Sequence, residues 1–406
     1  MKITNRLKVV VVYGLFFSQL LLLIGAQYAL GKEAERPEEA LKLIFNSYPV
    51  FRDDMDFEFL ALAIRRNISY LSRLNPRKTF YYGPHQFTVK EVLQSQRAFL
   101  DLISQKLTAD QLNAEIRRQF RIYRASGHAG DNKVLFTAYH DPLFDASLTP
   151  DDIFRYPLYR KPNDLFRLNL SLFDKKLKGE SIVVKIRNNN VSPYFTRHQI
   201  DTDKVLQNQD LEIAWLKDPI DIYLLHIEGS GRLRLPDGET ISVSYQASNG
   251  RPYRSFGRYL LENGLLAPKE LSVKNIRRYL SEHPKILRTV LNHNESYIFF
   301  QIVEQGPLGN INVPLTIGRS LALDAKLFPK GALAFISCSK PSVNSRGKVT
   351  GWTAFSRFVL NQDSGSAIKG AGRADLFFGR GSYAETAAWN LKHYGEMYVL
   401  MKAPEL

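Results

Sequence analysis

Hydrophobic positions along this chain change rhythm twice. Behind Lys2, Arg6 and Lys8 lies an apolar run from Val9 to Ala26, interrupted by Ser18 and Gln19. Ala29-Leu30-Gly31 then offers small residues at a cleavage spacing, so residues 1–31 read as an export signal, with an uncleaved N-terminal anchor as the competing reading. From 32 to 126 the apolar residues recur at helical spacing, over Pro37–Phe45, Asp54–Asn75 and Val89–Phe120. Val92, Phe99, Leu102 and Ile103 fall on one face, which suits packing on a core. After Gly127–Asn132 the rhythm becomes that of strands. Val134–Tyr139 is closed by His140-Asp141-Pro142, and Tyr156–Tyr159 follows. The run Ile222–Leu235 reads as a strand entering a Gly-Ser-Gly turn, and Pro236-Asp237-Gly238 turns it back into Thr240–Tyr245. Helices are predicted over Ser255–Asn263, closed by Gly264, and over Val273–Asn292. Strands return at Tyr297–Gln301, Val313–Asp324, Ala332–Ser339, Trp352–Val359 and Met397–Met401, with a helix over Tyr383–Asn390. The pattern predicts a mainly β protein with an N-terminal helical segment.

Composition narrows the partners. A chain of 406 residues can hold two or three domains. Its net charge of +15 implies an anionic partner, either nucleic acid, membrane surface or an acidic polymer. No dense Lys/Arg run, zinc-finger spacing or RNA-binding aromatic signature occurs, which disfavours nucleic acid. Cys338 is the single cysteine, so intrachain disulfides and multi-cysteine metal sites are excluded, and it reads as a small apolar core residue. The histidines lack metal-ligand spacing, and no metal or cofactor is predicted. Gly229-Ser230-Gly231 lacks the Lys-Ser/Thr and helix start of a phosphate cradle.

Candidate chemistry gathers near the C-terminus, in Leu360–Gly381. Asp363 and Asp375 bracket a segment of glycines and small residues there. Carboxylates in such turns suit acid/base work on a ligand that approaches the main chain, although most aspartates in such loops only cap turns. Asp324, Asp363 and Asp375 together resemble the three-aspartate domain of bacterial wall-active enzymes. The fuller resemblance is to the membrane-bound lytic murein transglycosylase A family. It is carried between about Val134 and Met401 by F-T-A-Y-H-D-P (136–142), Y-P-L-Y-R-K-P (156–162), H-I-E-G-S-G-R (226–232), S-Y-Q-A-S-N-G-R-P-Y-R-S-F-G (244–257), P-L-T-I-G-R-S (314–320) and D-S-G-S-A-I-K-G (363–370).

The resemblance implies a double-psi β-barrel, from 127–155 and 305–406, interrupted by an inserted β-rich domain at 156–304, with a groove between them for a peptidoglycan glycan strand. An exported, periplasmic protein and a monomer without a cofactor are expected, with membrane association through the N-terminal segment left open because the family's best-known members are lipoproteins and this chain lacks their cysteine. The resemblance assigns the catalytic acid to Asp375; beside it Asp363 reads as structural or as orienting Asp375, and Asp324 as fixing a turn in the barrel. The implied reaction cuts the β-1,4 bond between N-acetylmuramic acid and N-acetylglucosamine and leaves a 1,6-anhydro end. An acid that starts protonated needs a pKa above the usual ~3.9. Tyr139 and Tyr245 are candidates to stack on sugar faces, against the alternative of buried tyrosines with satisfied hydroxyls. Ser230, Gly231, Arg232, Arg319 and Lys369 are candidate substrate contacts. His140 and His226 read as structural. Two departures stand out: no lipid-bearing cysteine follows the export signal, and A-G-R-A (371–374) carries an extra small residue before Asp375. Two other readings compete. One is a two-carboxylate glycosidase using Asp363 and Asp375, with carboxyl groups roughly 5–9.5 Å apart. The other is a non-catalytic, expansin-like polysaccharide-binding protein.

Overall fold

The computed structural model describes residues 33–404 apart from Ser366; the apolar segment read as a signal or anchor lies outside them. The N-terminal region is not all helix. Pro37–Glu39 makes a single 3₁₀ turn, and Leu41–Ile44 (β1) is a strand. A tight hairpin joins Thr79–Tyr82 (β2) to His85–Thr88 (β3), and Phe120–Ala125 (β4) pairs antiparallel with β1. Strand pairing that buries Leu41 against the core overrides the short helical period of 37–45. The helices are Leu60–Ser72, Val89–Ile103 and Ala109–Gln119. The expected helix over Val89–Phe120 breaks at Ser104–Thr108. Thr108 starts a new helix by a capping box with Gln111, as Thr88 starts the first with Glu91.

Fifteen further strands follow: Val134–Tyr139 (β5), Leu143–Ser147 (β6), Tyr156–Tyr159 (β7), Leu165–Asn169 (β8), Ser181–Arg187 (β9), Asn190–Pro193 (β10), Glu212–Leu216 (β11), Ser230–Arg234 (β12), Thr240–Ser248 (β13), Ile298–Val303 (β14), Ser320–Ala322 (β15), Leu333–Val343 (β16), Val349–Asp363 (β17), Arg373–Phe377 (β18) and His393–Lys402 (β19). Six of them close into a barrel in the order β5-β19-β16-β17-β15-β18 and back to β5. Residues alternate in and out along each strand. Phe136, Leu321, Ile336, Val359, Leu376 and Val399 fill the interior. On the outside of β16, β17 and β19, the residues Phe335, Phe358, Leu360 and Leu400 are covered by Leu60, Ile64, Phe99 and Leu102 of the helices. Each such fully buried side chain contributes roughly 1.5–3 kcal/mol.

The outer face of β5, β18 and β15 has no helical cover. It carries Thr137, Tyr139, Ala322, Asp375 and Phe377, as the register requires: Asp375 stands opposite Thr137 on one side and Ala322 on the other. Residues 143–303 supply a second sheet, β14-β13-β12-β6-β11-β7, and a three-stranded one, β10-β9-β8. The stretch expected as strand from Ile222 begins as helix Pro219–Glu228, which ends at Gly229 with φ 74° before β12. Asp218 caps its start and Pro219 opens its first turn. Burial of Ile220, Tyr223, Leu224 and Leu225 makes the helix apolar on most sides, which erases its period.

Candidate active site

The three-residue strand β15 separates two carboxylates. Its Ala322 pairs with Asp363 of β17 and with Asp375 of β18, so the two aspartates flank one methyl group, with main chains about 10 Å apart at two strand spacings. A bulge makes this possible. Leu321 pairs with Asn361 but Ala322 pairs with Asp363, so Gln362 is the extra residue. The Gln362 side chain turns under the helices to Ala63 and Asn67. Without the bulge, Gln362 would occupy the place of Asp363.

The carboxyl groups differ in support. Asp363 accepts from the Tyr139 hydroxyl at 2.9 Å, the Asn310 N–H at 3.0 Å and the Ser364 N–H at 2.8 Å. Burial nevertheless pushes its pKa up to about 6, against the pull of these donors and of Lys330. Asp375 accepts from the Thr137 hydroxyl at 2.6 Å. Burial pushes its pKa up to about 7. The Thr137 bond and the Arg373 charge oppose this, while the charges of Glu228 and Asp363 add to it. Asp375 lies mid-strand, so it does not cap a turn. A carboxyl near neutrality can both give and take a proton.

The other predicted residues separate into three groups. Asp324 accepts from the N–H of Lys326 and of Gly370, both at 2.9 Å, and so ties its own turn to the loop leaving Asp363. Tyr139 is 9% exposed, with its ring 5.2 Å from that of Phe377 and its hydroxyl on Asp363; it is not a stacking platform. Arg319 is corrected as a substrate contact. Its side chain is 0% exposed and forks onto Asp53 at 2.6 and 2.8 Å, because the main-chain turn before β15 points it under the helical cover. On the second sheet, Ser230 and Gly231 are buried, and a Cβ on Gly231 would stand 2.6 Å from Leu225, so both serve packing. Arg232 lies 3.3 Å from the carboxylate of buried Asp141 and acts as a clamp. Tyr245, 45% exposed, and Lys369, on the loop between the aspartates, are accessible. His226 is buried against Arg197 at 2.9 Å.

Sequence reasoning missed Thr137 and Glu228, although both lie inside the quoted motifs. Thr137 is legible as the polar residue two before Tyr139 on the same strand face. Among the described residues, no group of three or more His, Cys, Asp or Glu side chains is placed to hold a metal ion, and no helix is long and apolar enough to cross a membrane.

Comparison with known proteins agrees with this geometry. Residues 135–301 match the MltA specific insert domain and residues 319–401 match the 3D domain. The crystal structure of membrane-bound lytic murein transglycosylase from Agrobacterium tumefaciens is 30% identical and superposes with a TM-score of 0.72 over 89% of this chain and 98% of its own. The chain belongs to the membrane-bound lytic murein transglycosylase A family. The Vibrio cholerae family member of that name is 29% identical over 70% of each chain. The Escherichia coli member is 29% identical over 71% of each. A Neisseria gonorrhoeae structure of the family, 24% identical with a TM-score of 0.70, shares the fold. The 3D-domain match spans β15 to β19 and so contains Asp324, Asp363 and Asp375 of the barrel.

Proposed function

We propose that this protein is a lytic transglycosylase of peptidoglycan, with Asp375 as its single acid and base. The glycan strand lies across the uncovered face of β5, β15 and β18, between the barrel and the second sheet. Asp375 gives its proton to the glycosidic oxygen of the leaving N-acetylglucosamine as the C1–O bond breaks through an oxocarbenium-like state. The carboxylate then takes the proton of the muramic acid 6-hydroxyl as that oxygen bonds to C1. The acid is regenerated, the product is a 1,6-anhydro sugar, and no water is consumed.

The observation that carries this reading is the placement of Asp375, mid-strand on the uncovered face with the Thr137 hydroxyl as its donor. Burial and the charges of Glu228 and Asp363 push its pKa up to about 7, against the Thr137 bond and the Arg373 charge. Asp363 is occupied by three donors, which suits a fixed charge that orients and tunes rather than a free nucleophile. In the same reading the barrel is of the double-psi type. Its two segments, expected over 127–155 and 305–406, enclose an inserted domain, and the pairing of β6 with β11 and β12 moves the start of that domain from 156 to about 143. The protein works as a monomer at the wall outside the cytoplasmic membrane, attached through its N-terminal segment. Tyr245 and Lys369 are the accessible contacts proposed for the glycan or its peptide carboxylates.

The test is incubation of the purified protein, beside Asp375→Asn, with isolated peptidoglycan, followed by mass spectrometry of the released muropeptides. The expected products end in 1,6-anhydromuramic acid, one water lighter than hydrolytic products, and are lost with the variant. Reducing ends would instead point to a two-carboxylate hydrolase. Polymer that stays intact yet retains the protein would point to a binding module.

A further inference from the structure

Glu228 is the last residue of the helix Pro219–Glu228, and its side chain is 6% exposed. It reaches out of the second sheet's unit to the end of β5. The His140 N–H donates to Oε2 at 3.4 Å, and the His140 imidazole Nδ1 lies 3.4 Å from Oε1. His140 directly follows Tyr139, so this carboxylate sits at the end of the strand that carries Thr137 and Tyr139. Its charge is felt by both Tyr139 and Asp375. One residue further on, Asp141 binds Arg380 at 2.7 Å and Arg232 at 3.3 Å, and the Arg232 N–H donates to the Pro142 carbonyl at 2.8 Å. The turn bearing Glu228 is therefore fixed to the barrel. Behind the pair lies a cavity of about 310 Å³, lined by His140, Asp141, Glu228, Glu385 and Trp389 among others. His140 Nδ1 and Asp141 Oδ1 have no well-aligned hydrogen-bond partner there. A polar cavity of this size admits water, and with it protons.

We propose that Glu228, held by His140, is a positioning residue for Asp375: a negative charge at the end of the strand whose Thr137 holds the acid, masked or unmasked by the proton on His140. The inference rests on the reading of Asp375 as the acid. Burial alone would lower the His140 pKa, but the carboxylates of Glu228, Glu385 and Asp141 outweigh it and raise it above 6.5. At low pH the imidazolium offsets Glu228, and Asp375 is protonated anyway. As pH rises His140 loses its proton, the Glu228 charge acts in full, and Asp375 is held protonated where it would otherwise ionise. The other charges facing Asp375, those of Arg373 and Asp363, act alongside this pair.

The experiment is the pH–rate profile of the full chain on peptidoglycan for wild type, Glu228→Gln, Glu228→Asp, His140→Gln and Asp375→Asn, each checked for cooperative melting. The alkaline half-point is expected to fall by about half a pH unit in Glu228→Gln. It should stay in place in Glu228→Asp, whatever the rate, and rise in His140→Gln, where the charge is never masked. A Glu228→Gln profile that superimposes on wild type, or an equal displacement in Glu228→Asp, overturns the inference and leaves Glu228 a latch. If Glu228→Gln does not melt cooperatively, His140→Gln decides, and an unmoved alkaline limb overturns it. Activity in Asp375→Asn would instead remove the underlying assignment of the acid.

Discussion

Asp53 and Asp375 both stand on the outside of one barrel, but in different surroundings: Asp53 is 6% exposed beneath the helices, and Asp375 is half-buried on the uncovered face. Asp53 lies under the helices. It accepts the Arg319 fork and the N–H groups of Met55, Phe57 and Phe358, so its charge is fully matched. Asp375 faces the second sheet. It has the Thr137 hydroxyl, with the charge of Arg373 set against those of Glu228 and Asp363. The covered face spends its charge on holding residues 53–58 against β15 and β17, and the uncovered face leaves a carboxyl under tension. The difference teaches that burial does not decide what an aspartate does; the donors supplied to it do.

Removing the charge on the uncovered face should give the largest effect. Asp375→Asn is expected to abolish muropeptide release, a loss of at least about 10³-fold, and yet to stabilise the fold at pH 8. The sign follows from linkage. A carboxyl raised from 3.8 to about 7 holds more protons folded than unfolded between those values. It therefore costs stability as pH rises through that window, and the asparagine escapes the cost. A gain of about 1–3 kcal/mol by denaturant titration at pH 8, shrinking towards pH 4, is expected. A variant less stable at pH 8 would undo the comparison.

Breaking the matched pair should do the reverse. Arg319→Met leaves Asp53 buried without its cation and should cost about 3–5 kcal/mol, while activity per folded molecule is retained. Unchanged melting would show that the pair is not a structural clamp. Gly309→Ala sharpens the comparison more gently. Its Cβ would meet the Gln362 carbonyl oxygen at 2.3 Å, at the bulge that aims Asp363. About 1–3 kcal/mol and a several-fold loss of rate are expected, read by melting and muropeptide release. The smallest effect belongs to Thr137→Val. Loss of the hydroxyl donor removes a term that favours the Asp375 anion, so the alkaline limb of activity should move upward while rates at pH 5–6 change little. A downward move would show that the hydroxyl acts otherwise.

Most barrel strands were legible from alternation bounded by turns, Val134–Tyr139 by His140-Asp141-Pro142 and the Leu333–Val343 and Val349–Asp363 pair by its hairpin at Asn344–Lys348; Arg373–Phe377 was not, because it is five residues long behind a Gly-rich loop that reads as a turn, and the strand expected over Val313–Asp324 shrinks to Ser320–Ala322. Elements governed by distant partners were not legible either. Leu41–Ile44 is a strand because β4, some 80 residues on, pairs with it. Pro219–Glu228 is buried on too many sides to show a period, and only Asp218-Pro219 and Glu228-Gly229 mark its ends. The positions of the site's aspartates were readable from motif order. Their partners were not, since Thr137 lies 238 residues from Asp375 and Tyr139 lies 224 from Asp363. The charge of Arg319 suggested exposure, and the Asp53 that buries it is 266 residues away.

The closure of the barrel has a bearing on how the protein is made. Both strands that flank β5, β18 and β19, lie more than 200 residues further along the chain. Until they pair with it, Asp375 lacks the Thr137 hydroxyl and the barrel has an open seam. Such distant pairings make folding slow and leave the half-made chain dependent on its independently cored middle. The same long-range pairing that closes the barrel brings Thr137 to Asp375, so a barrel left open is also a barrel without its site.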